Sequence, residues 1–200
     1  MSATAFAALH EHFAARATVT PHDSALMQRV FIPRSLGAGD YLQRAGEVAR
    51  YGVFVARGCL RVYVIDGKGR EHIIQFAPED WWYSDIVSLQ SGQPSQYFVD
   101  AVEDSDLLLL EPAGHDALVR DSPAYAAGFR AGMQRHAAAK DQRIAGTLTD
   151  SAEERYETFL GRYPSIAQRV PQWMLASYLG ISPETLSRIR GKSARKTRKA

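Results

Sequence analysis

Near the C-terminal end of the chain, Glu184, Ser187, Arg188 and Gly191 fall at i, i+3, i+4 and i+7, one side of a helix. Leu186 and Ile189 between them turn to the other side. The polar members are types that can read base edges in a DNA groove. An arginine donates a bidentate pair to guanine O6 and N7, and a carboxylate accepts from a cytosine amino group. Each such contact is worth about 1–3 kcal/mol of discrimination. Ser182, Thr185, Arg190 and Lys192 flank this face as candidate phosphate contacts, which set register without reading sequence.

Other chemistry is sparse. His10 and His12 lie about 200° apart on a helix and cannot share a metal on one face, and the remaining histidines are scattered. The single cysteine, Cys59, follows Gly58 in a strand-like run and reads as a small buried residue. It excludes an internal disulfide and a Cys-rich metal centre. No activated nucleophile with a nearby base can be argued, so neither a catalytic residue nor a metal or other cofactor is expected.

Positioning the Glu184–Arg188 face requires a scaffold, and QWMLASYLGISPETLSRIR supplies one. Two short helices that cross closely need a small residue on the first and a glycine at the turn, here Ala176 and Gly180. Leu175, Leu179, Ile181, Leu186 and Ile189 occupy the positions that face a shared core. Ser182 is the N-cap of the second helix, with Pro183 at its first position and Glu184 in its first turn. The pattern predicts a helix-turn-helix.

Charge agrees with that placement. Residues 183–200 hold seven Lys or Arg against one acid, a charge of +6. The whole chain carries +2, so the other 182 residues sum to −4. A basic end on an acidic body points to local contact with a polyanion. Its last part, Arg195 to Lys199, is expected to be a free, salt-sensitive tail. No apolar stretch reaches membrane-spanning length and no signal-peptide pattern opens the chain, which implies a cytoplasmic protein with no membrane partner.

Upstream the texture changes twice. TAFAALHEHFAAR places Phe6, Leu9 and Phe13 on one helical face. From about residue 30 to 112, short β-rich runs are broken by glycines, and VYVIDGKGREHIIQF reads as a hairpin turning at Asp66–Gly69. Many short strands closed by glycine turns predict a small barrel or roll. Ser122-Pro123 then starts one long helix reaching about residue 147. Tyr125, Phe129 and Met133 share a face of it, with Gly128 and Gly132 alongside leaving room for a second helix. That helix either packs on the roll or joins a second copy. Ser151 with Glu154 forms a capping box on a further helix whose buried face is Tyr156, Phe159, Leu160 and Tyr163.

The glycine-punctuated roll, the long helix and the closing VPQWMLASYLGISPETLSRIR together resemble the Crp/Fnr family of bacterial transcription regulators over nearly the whole chain. The resemblance implies an α+β fold: an antiparallel β-roll of the double-stranded jelly-roll type with flanking helices at 1–121, a dimerisation helix at 122–148, and a winged-helix-like helix-turn-helix at 149–200. It implies a homodimer on palindromic double-stranded DNA, with RNA polymerase as a further partner. Glu184 and Arg188 match the family's base-reading positions, and Ser182 and Thr185 match its phosphate contacts. Two departures stand out. Position 183 is Pro where one member of the family has a base-reading arginine, and 164–171 is short for a β-wing, so the wing is expected to be reduced.

Cyclic-nucleotide binders of the family carry a Gly-Glu pair and a phosphate-holding arginine after the roll. The matching stretch is WWYSDIVSLQSGQPSQYFVDA, where Ser84-Asp85 stands for Gly-Glu and Ser95 takes the arginine position. Between Glu71 and Val119 there are ten acids and no lysine or arginine, and burying a phosphate there without a countercharge costs several kcal/mol. The effector is therefore expected to be a small uncharged or cationic molecule, if any, and not cAMP or cGMP. Trp82, Ser84, Asp85, Ser95 and Gln96 are the pocket candidates. Two other readings stay open: a protein-interaction module of the same fold, and a cupin-like β-roll enzyme, for which the strand region offers only His72 and His115 as ligands.

Overall fold

The computed structural model describes residues 2–197. Two helices come first, α1 (Ser2–Ala14) and α2 (Pro21–Val30). Strands follow: β1 (Phe31–Leu36), β2 (Tyr41–Gln43), β3 (Gly52–Arg57), β4 (Leu60–Ile65), β5 (Glu71–Ala77) and β6 (Trp81–Tyr83). A short helix α3 (Ile86–Ser91) precedes β7 (Phe98–Ala101) and β8 (Ser105–Leu110). The rest is helical: α4 (Pro112–Asp121), α5 (Pro123–Thr149), α6 (Ala152–Arg162), α7 (Ile166–Arg169), α8 (Gln172–Leu179) and α9 (Pro183–Thr197).

The strands form two four-stranded sheets among the described residues, in the orders β1-β8-β3-β6 and β2-β7-β4-β5. β1 with β8, β2 with β7, β3 with β6 and β8, and β4 with β7 pair antiparallel, so the expected α+β roll with flanking helices is present. The run Leu107–Leu110 on β8 shows why one sheet is apolar on both faces. Leu107 and Leu109 join Val53, Val55, Leu60, Val62 and Val99 in the core between the sheets. Leu108 and Leu110 point outward and, with Phe54, meet Leu9, Phe13 and Leu26 of α1 and α2. Alternation along a pleated strand sends neighbours to opposite faces, so four leucines serve two cores.

α2 was not anticipated. It is held by a capping box in which the Thr20 side chain accepts from the Asp23 amide and Asp23 accepts from the Thr20 amide. The expected box at Ser151 and Glu154 opens α6, burying Tyr156 and Phe159, while Leu160 is only half-buried.

Gly128 of α5 does admit a close helix, and that helix is α1. A β-carbon at Gly128 would come within 2.4 Å of the Phe13 ring, whereas one at Gly132 would meet nothing within 4 Å. Phe13 and Tyr125 are fully buried there, with ring centroids 5.2 Å apart.

The chain divides into two compact units, Met1–Val64 with Gln75–His136, and Ile65–Ile74 with Ala137–Ala200. In the second unit the β4–β5 turn lies against α8. The Ser177 hydroxyl donates to the Glu71 carbonyl (2.9 Å) and accepts from the Ile73 amide (3.0 Å). Between α6 and α8 the chain forms α7 and no strand, in keeping with the reduced wing.

The basic tail departs from expectation. α9 continues past Gly191 through Arg195 and Lys196 to Thr197, because Ser, Ala, Arg and Lys are all tolerated in a helix interior. The rest of that tail, Arg198 and Lys199, lies outside the described residues.

Candidate nucleic-acid interface

The helix-turn-helix geometry follows from two local devices. Gly180 ends α8 in the left-handed region (φ 68°), with its amide bonded back into the last turn, and reverses the chain within two residues. The Ser182 side chain then accepts from the Thr185 amide (3.2 Å), capping α9, with Pro183 at its first position. Leu175, Ala176, Leu179, Leu186 and Ile189 are buried between the two helices and α6, and Ile181 is half-buried. Tyr178 adds an aromatic cluster with Phe159 and Tyr163 that the sequence pattern had not singled out.

Burial of Leu186 and Ile189 decides which side of α9 faces out. Glu184, Ser187 and Arg188 are exposed, and Thr185 and Arg190 are half-buried beside them. Arg188 and Arg190 have no hydrogen-bond or ion-pair partner among the described residues. Glu184 lies below the usual carboxyl pKa because the Ser182 hydroxyl and its own backbone amide stabilise the anion. It is therefore ionised at neutral pH and can only accept. Lys192 differs from the other candidates: its ammonium pairs with Glu153 at the start of α6 (2.6 Å).

The cassette candidates do not form one group. Asp85 and Ser95 come together: the buried Ser95 hydroxyl donates to the Asp85 carboxylate (2.6 Å), which also caps α3 through the Ser88 amide (3.1 Å). Ser88 is itself engaged, accepting from the Ala49 amide and donating to the Gln93 carbonyl. Ser84 and Gln96 are exposed, and Gln96 donates to the Tyr97 hydroxyl (3.1 Å). Trp82 stands apart with α1, packed on Phe13, Phe31 and Phe54, its indole N–H donating to His12 Nε2 (3.2 Å). The other His12 nitrogen, Nδ1, is bonded to Asp80, so this histidine is a structural link between α1 and the β5–β6 turn. The Asp85–Ser95 pair presents a carboxylate and a hydroxyl and no cation.

One buried arginine lies elsewhere on the roll. Arg61 of β4 makes two parallel bonds to Asp100 of β7 (2.7 and 2.8 Å) and covers the Tyr63 ring, 4.3 Å from its centroid. Alternation with Leu60 and Val62 places Arg61 on the sheet face away from the inter-sheet core, a signal the sequence did carry. Among the described residues no three His, Cys, Asp or Glu side chains are grouped to hold a metal ion, and no helix is long and apolar enough to cross a membrane.

Residues 33–122 match the cyclic nucleotide-binding domain family. No curated protein matches the chain by sequence. Among solved structures, FixK2 from Bradyrhizobium japonicum superposes with a TM-score of 0.71 at 20% identity, over 84% of this chain and 86% of that one. A transcriptional regulator of the Crp/Fnr family from Eubacterium rectale gives 0.63 at 18%, covering 86% and 82%. The catabolite activator protein of Thermus thermophilus gives 0.54 at 23%, covering 90% and 85%.

Proposed function

We propose that this chain, whose fold is that of the Crp/Fnr regulators, is a cytoplasmic transcription regulator that binds double-stranded DNA sequence-specifically as a homodimer. The observation that carries the reading is the outward face of α9, where Glu184, Ser187 and Arg188 are exposed while Leu186 and Ile189 anchor the helix. With that face in the major groove, Arg188 reads guanine and Glu184 reads cytosine, while Ser182, Thr185, Arg190 and Lys192 hold phosphates. RNA polymerase is the further partner that the family likeness implies.

Support for the homodimer comes from α5. Ile144 and Leu148, one turn apart on α5, are 54% and 82% exposed, and this apolar pair is left for a second copy. Two copies related by a two-fold axis call for a palindromic site. The Asp85–Ser95 pair argues against a cyclic nucleotide as effector, and an uncharged or cationic molecule suits the acidic roll better.

Selection of bound DNA from a random pool tests the whole reading. The expected outcome is an inverted repeat with half-sites about 10 base pairs apart. Failure to enrich any sequence would sink it.

A further inference from the structure

Three arginines of the second unit line one cleft away from the reading face. Arg143 of α5 and Arg155 and Arg162 of α6 line a shallow cleft that opens to solvent, with Thr147, Thr158 and Asp150 beside them. Each of the three residues is half-buried, and each guanidinium is held by neutral acceptors. Arg143 donates to the carbonyls of Ile73 (3.1 Å), Ile74 (2.7 Å) and Tyr178 (2.9 Å) and lies over the Tyr178 ring. Arg162 donates to the Ala139 carbonyl (3.0 Å) and to Gln142 Oε1. Arg155 donates from Nη1 to the Asp150 carbonyl (2.8 Å), while its Nε is buried and meets no acceptor.

No carboxylate forms an ion pair with any of the three among the described residues. Asp150 is the acid of the lining, and its carboxylate accepts from the Thr149 hydroxyl. Three positive charges against one negative leave the cleft cationic. The backbone carbonyls fix the guanidinium planes without neutralising them. An orphaned Nε–H in such a place is a donor without its acceptor. A lining of arginines held only by neutral acceptors suits an anion with several oxygens, and the planar forks of arginine match phosphate oxygens two at a time.

We propose that this cleft binds a small phosphate-bearing anion, at a site separate from both the roll cassette and the reading face. The proposal does not depend on DNA binding, and it is tested first without DNA. Pyrophosphate is titrated into the purified full chain at constant ionic strength, followed by calorimetry and by the thermal midpoint. Saturable binding of one pyrophosphate per chain is expected, with a rise in midpoint absent from chloride controls. Arg155→Gln is expected to weaken binding about tenfold or more. Thr158→Glu, at an exposed lining position, keeps all three arginines and adds a carboxylate, and is expected to weaken it as much. No saturable binding, or equal binding by wild type and both variants, would overturn the site.

A DNA arm separates the two sources of phosphate. The salt dependence of DNA affinity is expected to be the same in wild type and Thr158→Glu. If pyrophosphate does not bind while that slope falls by about one in the variant, the cleft takes a phosphate of the DNA backbone and the free-anion site is rejected.

Discussion

Ser95 donates its hydroxyl proton to the Asp85 carboxylate at 2.6 Å, and both side chains are buried. Ser95 Oγ also accepts from the Tyr97 amide (3.0 Å), so one hydroxyl ties α3 to the chain entering β7. Ser95→Ala removes both bonds and leaves a buried carboxylate with one donor fewer. A loss of about 1–3 kcal/mol in urea-unfolding stability is expected. The same arrangement predicts that isothermal titration of the wild-type protein with cAMP or cGMP shows no saturable heat in the micromolar range. Binding at that level would remove the argument against a cyclic-nucleotide effector.

Arg188→Ala is expected to weaken binding to the selected DNA site by about 10–100-fold and to relax the preference at one base pair of each half-site. Fluorescence anisotropy against single-base variants of the site measures both. Arg190→Ala should instead lower affinity evenly across sequences and reduce the salt slope by about one. An unchanged preference in Arg188→Ala would take that residue off the reading face.

The glycines of α5 and of the α8–α9 turn are expected to respond in opposite ways to the same substitution. Gly132→Ala meets open space inside a helix and should raise stability by about 1 kcal/mol through helix propensity alone. Gly128→Ala drives a methyl into the Phe13 ring and should cost about 1–3 kcal/mol. Gly180→Ala has room for its side chain but keeps φ 68°, so its cost of about 1–2 kcal/mol comes from the backbone. Thermal melts of the three variants give the ordering.

Lowering the pH is expected to destabilise the protein through His136. Burial first, then Arg135 and His12 nearby, push this imidazole down to about 4. The unfolded chain takes up that proton near 6.5, so between about 6.5 and 4 it binds a proton that the folded chain refuses. Stability therefore falls as pH falls through this window and levels off below it. A loss on the order of 1–2 kcal/mol is expected, since the ring is not fully enclosed. His115, also lowered by burial, acts in the same direction. His136→Gln should flatten the stability profile over this range without abolishing the slope.

If α5 joins two copies, Ile144→Glu together with Leu148→Glu should give a monomer by light scattering at micromolar concentration. Both positions are exposed in the single chain, so the monomer should remain folded. A dimer that survives both charges would place the interface elsewhere.

Legibility in the sequence followed the range of the interactions. The helix-turn-helix could be written down to the residue because its signals are local: a cap at Ser182, a turn at Gly180 and an apolar spacing around both. The roll is legible in its glycine-broken strands, whereas α2 carries little apolar periodicity and is marked in sequence only by its Thr20–Asp23 capping box. What local pattern cannot supply is pairing across long separations. Nothing near Ser177 announces that its hydroxyl bonds to Glu71 and Ile73, more than 100 residues earlier. The same holds for Phe13 against Gly128 and for the cleft that Arg143 lines with Arg155 and Arg162. Trp82 was grouped with the cassette by its neighbours in sequence, yet strand alternation turns it to the α1 side.

The pairing of Lys192 with Glu153 makes α9, the helix proposed to read DNA, a self-buffered cation. A phosphate that takes Lys192 must first displace a carboxylate of the same molecule, so this contact exchanges one anionic partner for another and frees little counterion from the protein side. Lysine count alone would then overstate how steeply binding falls with salt. On the proposed DNA-binding reading, Arg188, which has no such rival among the described residues, is the cation left to set the position on the duplex.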